Sequence, residues 1–155
     1  MSQTVESTDY QKWHKRFAIE CNNRAWELSI QSRTPPQDRE MLDMAHASAW
    51  HWAQIGPELN RMRATMLLAE VHALLGYGST AYSFAREMRT YFLNHDSPDW
   101  ELAFTHTIYA HAAIVAGEFE EHHSAYNEAN KALQLISDEE DRNIVLRTFN
   151  QVPPL

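Results

Sequence analysis

Nine histidines, at positions 14, 46, 51, 72, 95, 106, 111, 122 and 123, raise the possibility of metal chemistry. Two carboxylate–imidazole pairs have a spacing that suits it, Asp43-x-x-His46 and Glu120-x-x-His123. Three residues apart on a helix, carboxylate and imidazole face the same way, and paired Glu-x-x-His helices build di-metal sites in bundles. Such a site also needs inward carboxylates from two further helices, for which Glu20, Glu27 and Glu70 are the candidates. No histidine pair shows the i,i+4 spacing with a glutamate that a zinc peptidase uses. Gly-rich phosphate loop, nucleophile elbow and supported Cys–His pair are missing from the sequence too. The inventory therefore favours hydrogen-bonded structural histidines over a metal site, and no cofactor is expected.

Helices must position these residues, and their boundaries are marked. Thr8-Asp9 can cap a first helix running to about Gln31, with Trp13, Phe17, Cys21 and Leu28 at helical spacing. Thr34-Pro35-Pro36-Gln37 fits a capping box with proline at the first helical position, opening a second helix that ends at Gly56-Pro57. The third helix carries Leu59, Met62, Met66, Ala69 and Ala73 as one stripe and is apolar almost all round in its C-terminal half, so it should have neighbours on several sides. Gly76-Tyr77-Gly78 stops it. A fourth helix spans about 79–94, and Ser97 is placed to cap a fifth that closes at Gly117. The sixth covers about 118–136, and Ser137-Asp138-Glu139-Glu140 reads as a capping box for a last helix to about Gln151. No segment has the alternation of a strand.

Shifting the chain by 41 residues superimposes the punctuation: Pro57-Glu58-Leu59 falls on Pro98-Asp99-Trp100, Ala69 on Ala110, and Gly76 on Gly117. One helical hairpin thus occurs twice, at 57–97 and 98–138. A third start at Ser137 supplies a single capping helix, 139–151, and 8–56 form a degenerate first hairpin. The whole of 1–155 reads as one helical-repeat domain.

Ala116-Gly117-Glu118-Phe119, followed by Ala125-Tyr126 and Ala129, resembles the tetratricopeptide repeat. The stretch around Leu75-Gly76, with Ala69, Ala81 and Ala85, resembles it more weakly: Gly78 replaces the turn aromatic and Met88 the usual Ala. The family's helix A tryptophan is replaced by Thr65 and His106, and the period exceeds the family's ~34 residues. The resemblance implies a short all-α solenoid of about seven helices in antiparallel hairpins, whose A helices line a concave face that binds extended or helical peptides. Carried over residue by residue, it implies that Arg63, Met66 and Glu70 of the third helix and Phe104, Thr107 and His111 of the fifth face the partner. If Ala25 plays the small role in helix 1, Asn22 and Trp26 join them. The family's carboxylate-gripping Lys/Asn/Arg set is not reproduced, so an acidic chaperone tail is not the expected partner. Alternatively, Arg63 and Glu70 pair with one another or with a neighbouring helix.

Composition agrees with helices. Only 4 glycines occur where average usage would give about 11, which argues against turn-rich sandwiches and barrels. Lys and Arg total 13 against 21 Asp and Glu, a formal net charge of −8, so nucleic acid is not an expected partner. No apolar run approaches the ~18 residues of a membrane helix, the N-terminus lacks a signal-peptide core, and Cys21 has no disulfide partner. A cytoplasmic location is expected. Trp50-His51-Trp52 cannot share one face; packing against helix 1 or 3 is expected, or else an exposed aromatic patch for another subunit. The leading expectation is a non-catalytic module holding a peptide or protein segment on the helix A face. The alternatives are a metal-dependent or small-ligand enzyme using Asp43/His46 and Glu120/His123, and a structural homodimer.

Overall fold

Two hairpin turns, at 75–77 and 116–118, are each set by a glycine that the sequence repeats. In the computed structural model, which describes the backbone from Ser2 and side chains from Asp9, Gly76 and Gly117 both take φ +82°. That left-handed conformation carries little cost only for glycine. Around each, two hydrogen bonds close the helix end. Gly76 N–H donates to the Ala73 carbonyl and Tyr77 N–H to that of His72; Gly117 and Glu118 do the same to Ile114 and Ala113. Every one of these four atoms' residues has its counterpart 41 positions on.

The described residues form seven helices: α1 (Ser2–Ser29), α2 (Pro35–Ile55), α3 (Glu58–Leu74), α4 (Gly78–Leu93), α5 (Asp99–Val115), α6 (Phe119–Leu135) and α7 (Glu139–Phe149). The described residues contain no strand. The α2 start is the expected capping box, with Gln37 N–H donating to the Thr34 hydroxyl and the Gln37 side chain accepting from the Thr34 N–H. Three boundaries differ from expectation. Helix α1 runs through Thr8-Asp9 instead of starting there; the side chain of Thr8 lies outside the described residues. The N-cap of α5 is Pro98, while the Ser97 hydroxyl donates back to the Phe92 carbonyl and so finishes α4. The N-cap of α7 is Asp138, one residue after Ser137, because its carboxylate accepts from Asp141 N–H at 2.9 Å.

The helices stack as antiparallel hairpins in two layers. Helices α1, α3, α5 and α7 pack one against the next, whereas α2, α4 and α6 touch only the odd-numbered helices and not each other. The even layer is therefore splayed and the odd layer forms the inside of the curve. Small residues let the layers approach: Ala69, Ala81, Ala85, Ala110 and Ala129 are completely buried. Gly78 belongs to the same logic. A Cβ there would run into the Val115 carbonyl at the end of α5, which explains the glycine where the resembled repeat has an aromatic. Among the described residues, no helix is long and apolar enough to cross a membrane.

Candidate functional site

The odd-numbered helices leave a hollow of about 340 Å³ on the inside of the curve, within the range of small-ligand and peptide-anchor sites. Helix α1 contributes Asn22 and Trp26, the turn after it Ile30, α3 contributes Arg63 and Met66, α5 contributes Trp100, Glu101 and Phe104, and α7 contributes Ile144, Arg147 and Thr148. Four helices converge because the curve is tight: the rings of Trp26 and Phe104, two hairpins apart, meet at 5.6 Å. Met66 and Phe104 are buried in the floor, while Ile30 and Ile144 form opposite rims and remain over 40% exposed.

The polar group at the centre is an ion pair between helices. Arg63 donates from Nε and Nη2 to the two oxygens of Glu101, at 3.0 and 2.7 Å. Its guanidinium also lies 5.5 Å from the Trp100 ring, a cation–π arrangement. The Glu101 side chain is almost fully buried at 2% exposure, so the bidentate contact compensates a carboxylate that water cannot reach. This hydrogen bond, first, and the carboxylate charge raise the Arg63 pKa further, against a smaller opposing effect of burial. Arg63 thus pairs with neighbouring α5, not with Glu70 on its own helix.

Of the residues the resemblance placed on the concave face, Asn22, Trp26, Arg63, Met66 and Phe104 line the hollow. Glu70, Thr107 and His111 do not: all three are buried, away from the hollow's lining. Glu70 and His111, equivalent positions 41 apart, face each other, with His111 Nδ1 3.2 Å from both Glu70 oxygens. Burial pulls the imidazole pKa down, but the Glu70 charge and hydrogen bond outweigh it, and the net shift is upward. The correction has a geometric cause. Seven residues on a helix are nearly two turns, ~10.5 Å of rise, so Arg63 and Glu70 share a face but not a depth in a groove that closes along α3. Thr107 is left with a hydroxyl that has no hydrogen-bond partner among the described residues.

The site also contains residues that spacing alone missed: Ile30, Trp100, Glu101, Ile144, Arg147 and Thr148. One signal was present. The 41-residue shift carries Thr107 to Thr148, which would have placed α7 in the odd layer as a wall of the groove and not only as a cap.

The metal candidates are not brought together. Asp43 and His46 are exposed on α2, Glu120 and His123 are exposed on α6, and these helices do not touch. His46 instead packs edge-on to His72 at 5.3 Å; burial, and then the proximity of His72, lower its pKa. Among the described residues, no three His, Cys, Asp or Glu side chains are grouped as a metal ion would require.

The Trp50-His51-Trp52 run splits three ways. Trp52 is buried against Ala18 of α1 and Ala64 of α3. His51 turns to α1, its Nδ1 2.9 Å from that of His14, so one ring donates and the other accepts. Burial and then His14 depress the His51 pKa. Trp50 stays 57% exposed and, with His14, His51, Phe17 and Trp13, forms a continuous aromatic patch on the first hairpin.

Fold and groove together define a helical-hairpin stack with an open, largely apolar inner face. Comparison of the chain with protein-family models, with curated proteins and with solved structures finds no match.

Proposed function

We propose that this chain is a tetratricopeptide-like, non-catalytic interaction module that holds a peptide segment of a partner protein in the groove between α1, α3, α5 and α7. The observation that carries the reading is the open inner face itself, where Trp26, Met66, Trp100, Phe104 and Ile144 from four helices, with Ile30 from the turn after α1, converge on one hollow. A hollow with large apolar walls and few fixed polar groups suits the side chains of a docked segment, whose burial there supplies about 1.5–3 kcal/mol each. The repeated hairpin with its paired Gly76 and Gly117 turns supports the tetratricopeptide likeness. A cytoplasmic setting fits Cys21, the sequence's single cysteine, which has no partner for an internal disulfide. Selection of peptides from a randomised display library tests the reading. Binders should lose about tenfold or more in affinity on Ile30→Ser with Ile144→Ser, two rim substitutions that spare the core. Equal affinity for the double variant would overturn it.

The exposed patch on the first hairpin favours a second reading, self-association. Trp13 and Trp50 are each at least half exposed, and with Phe17 they present an apolar surface of the kind that marks subunit contacts. Sedimentation at several concentrations checks it: a dimer should revert to monomer on Trp13→Ser with Trp50→Ser. A wild-type chain that stays monomeric at every concentration refutes it.

A further inference from the structure

The groove's polar groups define which charge its ligand carries. Within it the one carboxylate, Glu101, is buried, and both its oxygens already accept from Arg63. Arg63 spends only Nε and Nη2 on that contact; its Nη1 has no acceptor among the described residues, and its side chain is 43% exposed. Across the hollow, Arg147 is exposed and has neither an ion pair nor a hydrogen bond among the described residues. Asn22 adds a neutral amide and Thr148 a hydroxyl. The charge left over inside the groove is therefore positive, in a chain whose formal net charge is −8.

We propose, resting on the peptide-groove reading above, that the docked segment carries a bulky apolar side chain beside a single carboxylate. The apolar side chain sits between Trp26 and Trp100 over Met66, and the carboxylate reaches the free Arg147 guanidinium and Arg63 Nη1. Charge complementarity selects this occupant. A cationic residue would meet two guanidiniums and no free carboxylate, and a neutral one would leave Arg147 without a partner. The surroundings also limit the number of charges. Arg147 and Ile144 also line an adjoining hollow together with Asp138, Glu139 and Glu140, none of which is ion-paired with Arg147 among the described residues, so a run of acidic residues would be repelled where a single one is held. Arg147, at the rim, reads the carboxylate. Arg63 is mainly a positioning residue, fixed by Glu101 and Trp100.

A display library of randomised nine-residue peptides, selected against the full chain, is the probe. The expected winners carry Leu, Ile, Phe or Trp next to one Asp or Glu. Synthetic versions should bind about 5- to 30-fold more weakly when that residue is changed to Asn or Lys, the scale of one charge-assisted contact at a partly exposed site. Arg147→Gln removes no ion pair or hydrogen bond among the described residues, so the fold should stay intact while the Asp-to-Asn difference collapses. Apolar winners without an acidic residue, winners with acidic runs or basic residues, or an undiminished Asp preference in Arg147→Gln overturn the charge inference and leave the groove reading standing. Winners that bind the Ile30→Ser, Ile144→Ser variant equally well overturn the groove reading as well. A chain that enriches no peptide yet binds decanoate in the groove makes this a small-molecule site, and both fall.

Discussion

Replacing Glu70 by Gln tests whether α3 and α5 are held together by a buried ion pair. Glu70 is completely buried and His111 is 5% exposed, so solvent screens neither. The imidazole's folded-state pKa is raised: burial opposes the charged form, but the Glu70 charge and hydrogen bond prevail. The sign of the pH dependence follows from that direction. A raised folded pKa gives stabilisation that is fully present below the unfolded value of about 6.5 and is lost as pH rises through the folded value. At pH 5.5, below the unfolded value, the raised imidazole of the wild type is protonated beside Glu70. In Glu70→Gln the same ring must either carry an uncompensated buried charge or give up its proton. Removing one partner of such a pair costs about 3–5 kcal/mol. Once the pH has risen above the raised folded value the ring is neutral in both proteins, and the loss shrinks to the difference between two hydrogen bonds, on the order of 1 kcal/mol or less. For a chain of this size the low-pH loss lowers the melting temperature by roughly 6–20 °C. Urea unfolding of both proteins at pH 5.5 and 9 measures it. The depressed histidines His46, His51 and His106 bias both proteins the opposite way on acidification, because each loses stability as pH falls through its lowered value. The difference between the two proteins at each pH cancels them. A loss equal at the two pH values, or larger at pH 9, refutes the ion pair.

Three other outcomes follow from local geometry. Gly76→Ala and Gly117→Ala should each cost about 1–2 kcal/mol by thermal unfolding, since φ is +82° but a Cβ meets nothing there. Gly78→Ala should cost more than either, because its Cβ meets backbone of Val115 and Ala116 that cannot rotate away. Asp138→Ala should cost about 1 kcal/mol through loss of the α7 cap, and Ser137→Ala should be close to neutral; the reverse ranking would place the cap at the wrong residue.

How much of the site was legible depended on the range of the interactions involved. The Thr34–Gln37 box and the glycine turns are short-range, so their residues announce themselves in order along the chain. Ser97 and Asp138 show the limit even there. Ser97 and Ser137 each looked like a cap, but the first found a nearer carbonyl behind it and the second lost to its neighbour. Partners across helices were not legible. Nothing in the spacing of α3 distinguishes an Arg63 that reaches Glu101 from one that reaches along its own helix.

The sequence by itself determined the helices, their breaks and the 41-residue recurrence, because capping, backbone φ preference and the 3.6-residue period act within a few residues. The resemblance it carries assigned Arg63, Met66 and Phe104 to the inner face, and Asn22 and Trp26 with them if Ala25 takes the small position. Only the tertiary structure decided depth. Curvature of the odd layer brings Trp26 to Phe104 and Ile30 opposite Ile144, and it buries Glu70, Thr107 and His111 away from the lining. Depth depends on how closely four helices approach, a sum of contacts between residues far apart in sequence. The same residue types at the same spacing can therefore end as a surface or as a core.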